Sequence, residues 1–238
     1  MTKHGKKYNA EAALVDRNRL YSPREALELV KQTARANFDE TIEVHLRTAL
    51  DPRQADQQIR GVVNLPAGTG KPVRILVFAE GEAERIAREA GADYVGSDEL
   101  IQKIQNESWT DFDVAIAVPQ VMGKVGRLGR ILGTRGLMPN PKAGTIVQPE
   151  DLPRVIRETR QGRVEYRLDR TGNVHVPIGK ASFSVDQLME NFTALMDAIM
   201  RARPASLKGT YIRRVAVAST MGPGVRVDVA QAMAARSV

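Results

Sequence analysis

The sequence predicts an α/β protein in two parts: an α+β domain built from both ends of the chain, interrupted by an inserted α/β domain. Two patterns predict it. Toward the ends, strands alternate apolar and polar residues as sheets with one open face do. In the middle, short continuous apolar runs alternate with amphipathic helices, as in a parallel sheet covered on both faces. The length of 238 residues falls between one domain and two, and 42% hydrophobic residues can bury real cores. The expected division is 1–70 plus 159–238 for the split domain and 71–158 for the insert. The crossings near Gly70 and Thr159 are expected to lie side by side, as a hinge.

The first helix predicted opens at Ser22-Pro23-Arg24-Glu25, where Ser22 caps, Pro23 suits the first helical position and Glu25 completes a capping box. Thr41 to Arg47 alternates, placing Ile42, Val44 and Leu46 inward and Thr41, Glu43, His45 and Arg47 on an open face. Ile59 to Leu65 predicts a second strand, ended by Pro66 to Gly70. The insert reads as a buried strand at Arg74–Ala79, a helix from Glu80 to Ala90, a helical turn or two from Leu100 to Gln105, a buried strand at Asp113–Pro119 and a helix from Pro149 to Arg160. After Gly162, strands Val164–Leu168 and Val174–Ile178 flank a hairpin turn, Asp169 to Asn173. Ser184 to Gln187 is a second capping box, launching a helix whose stripe from Val185 to Met200 reads as core rather than as a Met-rich groove. Strands at Arg213–Ala218 and Val225–Val229 bracket the turn Ser219 to Gly224.

Composition removes whole classes of chemistry. With no Cys there is no disulfide, thiolate metal site or cysteine nucleophile, and three separated His (His4, His45, His175) supply no metal motif. The basic start, Met1 to Lys7, precedes no apolar stretch, so no membrane span or secretion signal is expected, and the reducing cytoplasm fits. A net charge of +7 and a pI near 9.8 favour a polyanionic partner, although a soluble surface accounts for such a charge as well. Aromatics at 5% are too sparse for a base-stacking platform, so duplex shape and backbone are the expected targets.

Nucleotide and catalytic motifs fail on spacing. Gly68-Thr69-Gly70-Lys71 has Leu65 where a phosphate loop needs Gly and Pro72 where it needs Ser or Thr. Glycines at 123, 126 and 129 do not form a dinucleotide fingerprint, and no GxSxG or paired His occurs. Charge is distributed unevenly: about five basic and ten acidic residues lie between Lys71 and Asp113, whereas Val114 to Pro149 has five basic and none acidic. Those five (Lys124, Arg127, Arg130, Arg135, Lys142) sit in a Gly/Pro-rich stretch, Met122 to Thr145, read as a loop whose backbone can approach phosphate, or as a structural loop with solvated charges.

Leu132 to Lys142 (LGTRGLMPNPK) closely resembles the signature of the L-one family of large-subunit ribosomal proteins. Residues 51–61 (DPRQADQQIRG), 38–41 (FDET) and 220–223 (TMGP) resemble further landmarks, and the resemblance runs nearly end to end. It implies a split two-layer α+β RNA-binding domain with an inserted three-layer Rossmann-like α/β domain, and no enzyme activity, cofactor or metal. The implied partners are large-subunit ribosomal RNA at the mobile lateral stalk, exit-site tRNA whose release it aids, and its own operon mRNA, which it represses. A cytoplasmic, ribosome-bound protein, monomeric when free, is expected. The alternative is a nucleotide-binding α/β enzyme using the insert.

Carried onto this sequence, the resemblance places RNA contacts at Phe38, Thr41 and Glu43 of the first strand and at Thr220, Met221 and Gly222 of the tight turn, with Arg170 and His175 flanking. Phe38 could equally be core, His175 an ordinary strand histidine and Met221 a turn anchor. The Lys124–Lys142 cations are expected to supply secondary RNA contacts. Two positions depart from the family pattern. Thr134 replaces a common Pro, and Arg214 stands where some relatives carry a small hydroxyl residue, which would add a phosphate contact.

Overall fold

The computed structural model describes residues 5–235; Met1 to His4, part of the basic N-terminal run, lie outside the described residues. Before the insert come α1 (Lys6–Ala12), α2 (Pro23–Thr33), β1 (Thr41–Thr48) and β2 (Arg60–Asn64). Within it follow β3 (Ile75–Phe78), α3 (Glu82–Glu89), β4 (Tyr94–Gly96), α4 (Asp98–Glu107), β5 (Val114–Ala117), α5 (Met122–Val125), α6 (Gly129–Thr134) and α7 (Leu152–Gln161). The chain closes with β6 (Arg163–Arg167), β7 (Asn173–Lys180), α8 (Val185–Arg201), β8 (Ile212–Ser219), β9 (Val225–Val227) and α9 (Val229–Ala234).

Two compact units result, one from the residues up to Gly70 together with Gly162 onward, the other from Lys71–Gln161. The return crossing falls at Gln161/Gly162 rather than at residue 159, because α7 runs unbroken to Gln161 and Gly162, at φ 120°, ends it. A Cβ at Gly162 would stand 2.6 Å from Gly68 Cα, so the outgoing and returning chains touch there.

The split unit is two-layered. Its antiparallel sheet has the order β7-β1-β8-β9, with α2, α8 and α9 against one face. Alternation along β1 buries Ile42, Val44 and Leu46 beneath these helices, and α8 answers with Leu188, Phe192, Leu195, Met196 and Ile199. Burying each such side chain contributes about 1.5–3 kcal/mol. Both capping boxes form: Glu25 N donates to Ser22 Oγ and Gln187 N to Ser184 Oγ, with the Glu25 and Gln187 side chains accepting in return. Asn191, fully buried in α8, accepts from Ala67 N (3.0 Å) and donates to Gly68 O (2.9 Å) and Ile178 O (2.7 Å), tying the chain leaving β2 to the core.

Two expectations need correction here, and one helix was not expected. The turn at Asp169 to Asn173 closes, but Val164–Leu168 and Val174–Ile178 do not continue as a hairpin: β6 pairs with β2 and β7 with β1, joined only by the Leu168–Val174 bridge. The last strand stops at Val227, because Asp228 caps α9 by accepting from Gln231 N. The helix Lys6–Ala12 has no counterpart in the sequence reading, since its KKYNAEA run carries no apolar stripe.

The insert is three-layered, with parallel order β4-β3-β5. The chain steps from β3 to β4 on one side and then crosses to β5 on the other, and right-handed crossovers put α3 and α4 on opposite faces. Ile75 to Phe78 are wholly buried. The short strand β4 was hidden by its half-exposed residues, and the helix expected from Pro149 begins as a 3-10 turn before α7. Met122 to Thr134 is not a loop: short helical segments place Val125, Leu128 and Leu132 in the core, with Gly126 and Gly129 at helical φ of −54°. The spacing of those apolar residues outweighs the low helix propensity of glycine.

Candidate nucleic-acid interface

The helices cover only one face of the four-stranded sheet, and the bare face collects the polar half of each alternating strand. Strand register arranges that face in rows. Asn173, Arg47 and Arg214 form one; His175, His45, Ala216 and Arg226 the next; Pro177, Glu43 and Ala218 the third; Lys180 and Thr41 close the surface at the far end. Ala216, Ala218 and Pro177 are small or compact, so the middle is shallow, with guanidinium groups along one end and edge. Such a surface suits the wide, shallow minor groove of an RNA helix, where phosphates flank ribose hydroxyls.

Arg47 donates to Thr171 O and to Asn173 Oδ1 (3.2 Å), which fixes it against the Asp169–Asn173 turn. That turn is built by Asp169, which accepts from Thr171 N (2.8 Å) and Asn173 N (2.7 Å). Burial alone would raise the Asp169 pKa; the bonds from Asn173 and Thr171 hold it far below the ordinary carboxylate value instead. Arg170 projects exposed from this turn, and His175 stands beside it on the open face.

At the other end, Phe38 and Met221 are 56% and 62% exposed, so neither is core. Glu40, a buried carboxylate, accepts from Ala36 N (2.8 Å) and Met221 N (2.9 Å), tying the segment ahead of β1 to the turn that carries Met221. Desolvation pushes the Glu40 pKa up, but these backbone donors win and hold it below its ordinary value. Thr220 Oγ accepts from Thr41 N (2.9 Å) and donates to Thr41 O (3.3 Å), so that hydroxyl is committed to joining the turn to β1. Gly222 packs closely: a Cβ there would lie 2.5 Å from Ser219 Oγ, so that hydroxyl would have to move.

Sequence reasoning had placed Phe38, Thr41, Glu43, Arg170, His175, Arg214, Thr220, Met221 and Gly222 at one site. The sheet distributes them along its open face and at its two ends. Arg214 lies on that face, opposite Arg47. Arg226 and Lys180 were missed, because their place beside the others depends on strand neighbours distant in sequence. Glu40 was missed as well, since its residue type gives no hint of burial.

In the insert, the second basic region is smaller than expected. Lys124 is not without a counter-charge: its Nζ lies 2.6 Å from Glu80 Oε1 and 3.0 Å from Asp98 Oδ2. The bonds to Glu80 and then Asp98 raise its pKa. Acidic residues apart in sequence meet it in space, at the carboxyl ends of β3 and β4. Arg135 bonds Thr110 Oγ. Arg127, Arg130 and Lys142 are exposed. Thr134 Oγ donates to Arg130 O (3.2 Å) and Ile131 O (3.0 Å), back-bonding within the helical turn found there.

The same carboxylates bear on nucleotide binding, because the crevice beyond the strand ends, where an α/β sheet takes a phosphate, is lined by Glu80 and Asp98. No cluster of three or more metal-ligating side chains occurs among the described residues, and no helix there is long and apolar enough to cross a membrane.

Residues 30–223 match the family model described as Ribosomal protein L1p/L10e family. The Large ribosomal subunit protein uL1 of Chloroflexus aurantiacus (strain ATCC 29366 / DSM 635 / J-10-fl) is 64% identical over 228 residues, covering 96% of this chain and 96% of that protein. The proteins of the same description from Chloroflexus aggregans and Thermomicrobium roseum are 62% and 60% identical, over 96% and 97% of this chain and 97% and 95% of theirs. The family is a structural, non-enzymatic one, and the nucleotide-binding enzyme falls as an alternative. On a match spanning most of its length, with the two-domain α/β fold described above, this chain belongs to the ribosomal protein L1p/L10e family.

Proposed function

We propose that this protein is a cytoplasmic structural constituent of the large ribosomal subunit that holds large-subunit ribosomal RNA on the open face of its split domain, as part of the lateral stalk. The observation that carries the reading is the bare sheet face, where Arg47, Arg214 and Arg226 border a shallow centre of Ala216, Ala218 and Pro177. The guanidinium groups take phosphates. Glu43, half-buried at the centre, accepts from a ribose 2′-hydroxyl or a base amino group. Exposed Phe38 and Met221 pack against ribose or a base at the rim.

A messenger RNA that folds into a like structure competes for the same face, which is the basis for repression of its own operon. Arg127, Arg130, Arg135 and Lys142 of the insert add weaker contacts to ribosomal RNA or to exit-site tRNA, whose release they assist; Lys124, tied to two carboxylates, is left out of that set. Competition gel shifts at matched salt test the reading. Stalk-region ribosomal RNA is expected to bind at least about 10³-fold tighter than a scrambled duplex of equal length. Equal affinities would identify a non-specific basic RNA binder instead.

A further inference from the structure

His45 and His175 meet on the open face. They are register partners across β1 and β7, their Nδ1 atoms lie 2.8 Å apart and their rings are 5.0 Å apart at 62°. That separation holds one proton between two nitrogens, one ring donating and the other accepting. Each outer nitrogen faces a carboxylate: His175 Nε2 is 3.4 Å from Asp169 Oδ2, and His45 Nε2 is 4.0 Å from Glu43 Oε2. Arg47 and Arg214 fill the adjoining row and Arg226 lies beyond Ala216, while the helices lie on the opposite face. Burial and the second imidazole hold the His45 pKa below 6.5, against the pull of Glu43. Two imidazoles directly opposite each other repel if both are charged.

We propose that the His45–His175 pair is a proton-gated site for one RNA phosphodiester, seated between the pair and the Arg47–Arg214 row. The inference rests on the ribosomal-RNA reading above. A phosphate placed there favours the charged form of the pair, so binding draws one proton from solvent and an imidazolium Nε2–H donates to the phosphodiester. No covalent bond forms or breaks. A second proton is disfavoured, because the other ring is already charged at contact distance. Affinity therefore rises as pH falls through the interval between the pKa of the unbound pair and the higher one of the complex.

The test is calorimetry of the full chain with deproteinised large-subunit ribosomal RNA at about pH 7.5 and about pH 6.0, at fixed ionic strength and in two buffers of different ionisation enthalpy. The wild type is expected to bind about three- to tenfold tighter at the lower pH, with uptake of up to about one proton. His45→Gln and His175→Gln are each expected to lose the pH dependence, affinity at the lower pH falling to within about twofold of the same variant's affinity at the higher pH. Wild-type binding without pH dependence, or Gln variants that retain it, overturns the proposal. Added inorganic phosphate that removes the pH dependence without displacing RNA overturns the phosphodiester assignment in favour of free phosphate. Folded wild type that binds no ribosomal RNA at either pH overturns the functional reading itself.

Discussion

At the scale of residues, the exposed contacts depend on buried ones. Glu40 is 1% exposed and accepts from Ala36 N and Met221 N, so it holds the Met221 turn against the segment that leads into β1. Glu40→Gln removes the charge from these bonds and is expected to cost about 1–3 kcal/mol of stability, read as a lower denaturant midpoint. Because the folded pKa lies below the ordinary 4.5, the carboxylate contributes stability above pH 4.5 and loses it as pH falls through the folded value. Wild type should therefore lose more stability than Glu40→Gln on acidification below about pH 4.5, and equal losses would contradict this role. Arg214 carries a separate prediction. Arg214→Ser should leave the fold intact and reduce the slope of log affinity against log salt by about one, through loss of one phosphate contact. An unchanged slope would remove Arg214 from the interface.

At the scale of elements, stability and legibility divide along the same line. Asn191 in α8 satisfies Ala67 N, Gly68 O and Ile178 O. Asn191→Ala takes the partner from the buried Ile178 O and from the half-buried Ala67 N and Gly68 O, and should destabilise by about 2–3 kcal/mol, measurable as a lower calorimetric transition temperature. Gly162→Ala should cost a similar amount, because a Cβ would meet Gly68 backbone at 2.6 Å while φ is 120°. The elements legible in advance were those specified locally: the capping boxes of α2 and α8, the alternation of β1, the apolar runs of β3 and β5. Those misread were decided by partners remote in sequence. β6 leaves the Asp169 turn for β2, Met122 to Thr134 becomes helical because Val125, Leu128 and Leu132 reach the core, and Lys124 finds Glu80 and Asp98. The rim of the site was visible through local strings around Phe38 and Met221. Its row structure needed the order β7-β1-β8-β9, which no single segment carries.

At the scale of the whole molecule, the net charge of +7 separates into surfaces with different work. Acidic residues of the insert neutralise part of its basic Met122–Thr145 segment, leaving Arg127, Arg130, Arg135 and Lys142 as the exposed cations of that segment. In the split unit, arginines from β1, β8 and β9 converge on a face that none of the described helices covers. The central claim is that this face, rather than diffuse basicity, holds ribosomal RNA. The most direct measurement compares two doubly reversed chains of equal net charge, Arg47→Glu/Arg214→Glu and Arg127→Glu/Arg130→Glu, for affinity to deproteinised large-subunit ribosomal RNA at matched salt. The account predicts a loss of about 100-fold or more for the sheet-face pair and of less than about tenfold for the insert pair. Equal losses, or a greater loss for the insert pair, would contradict it.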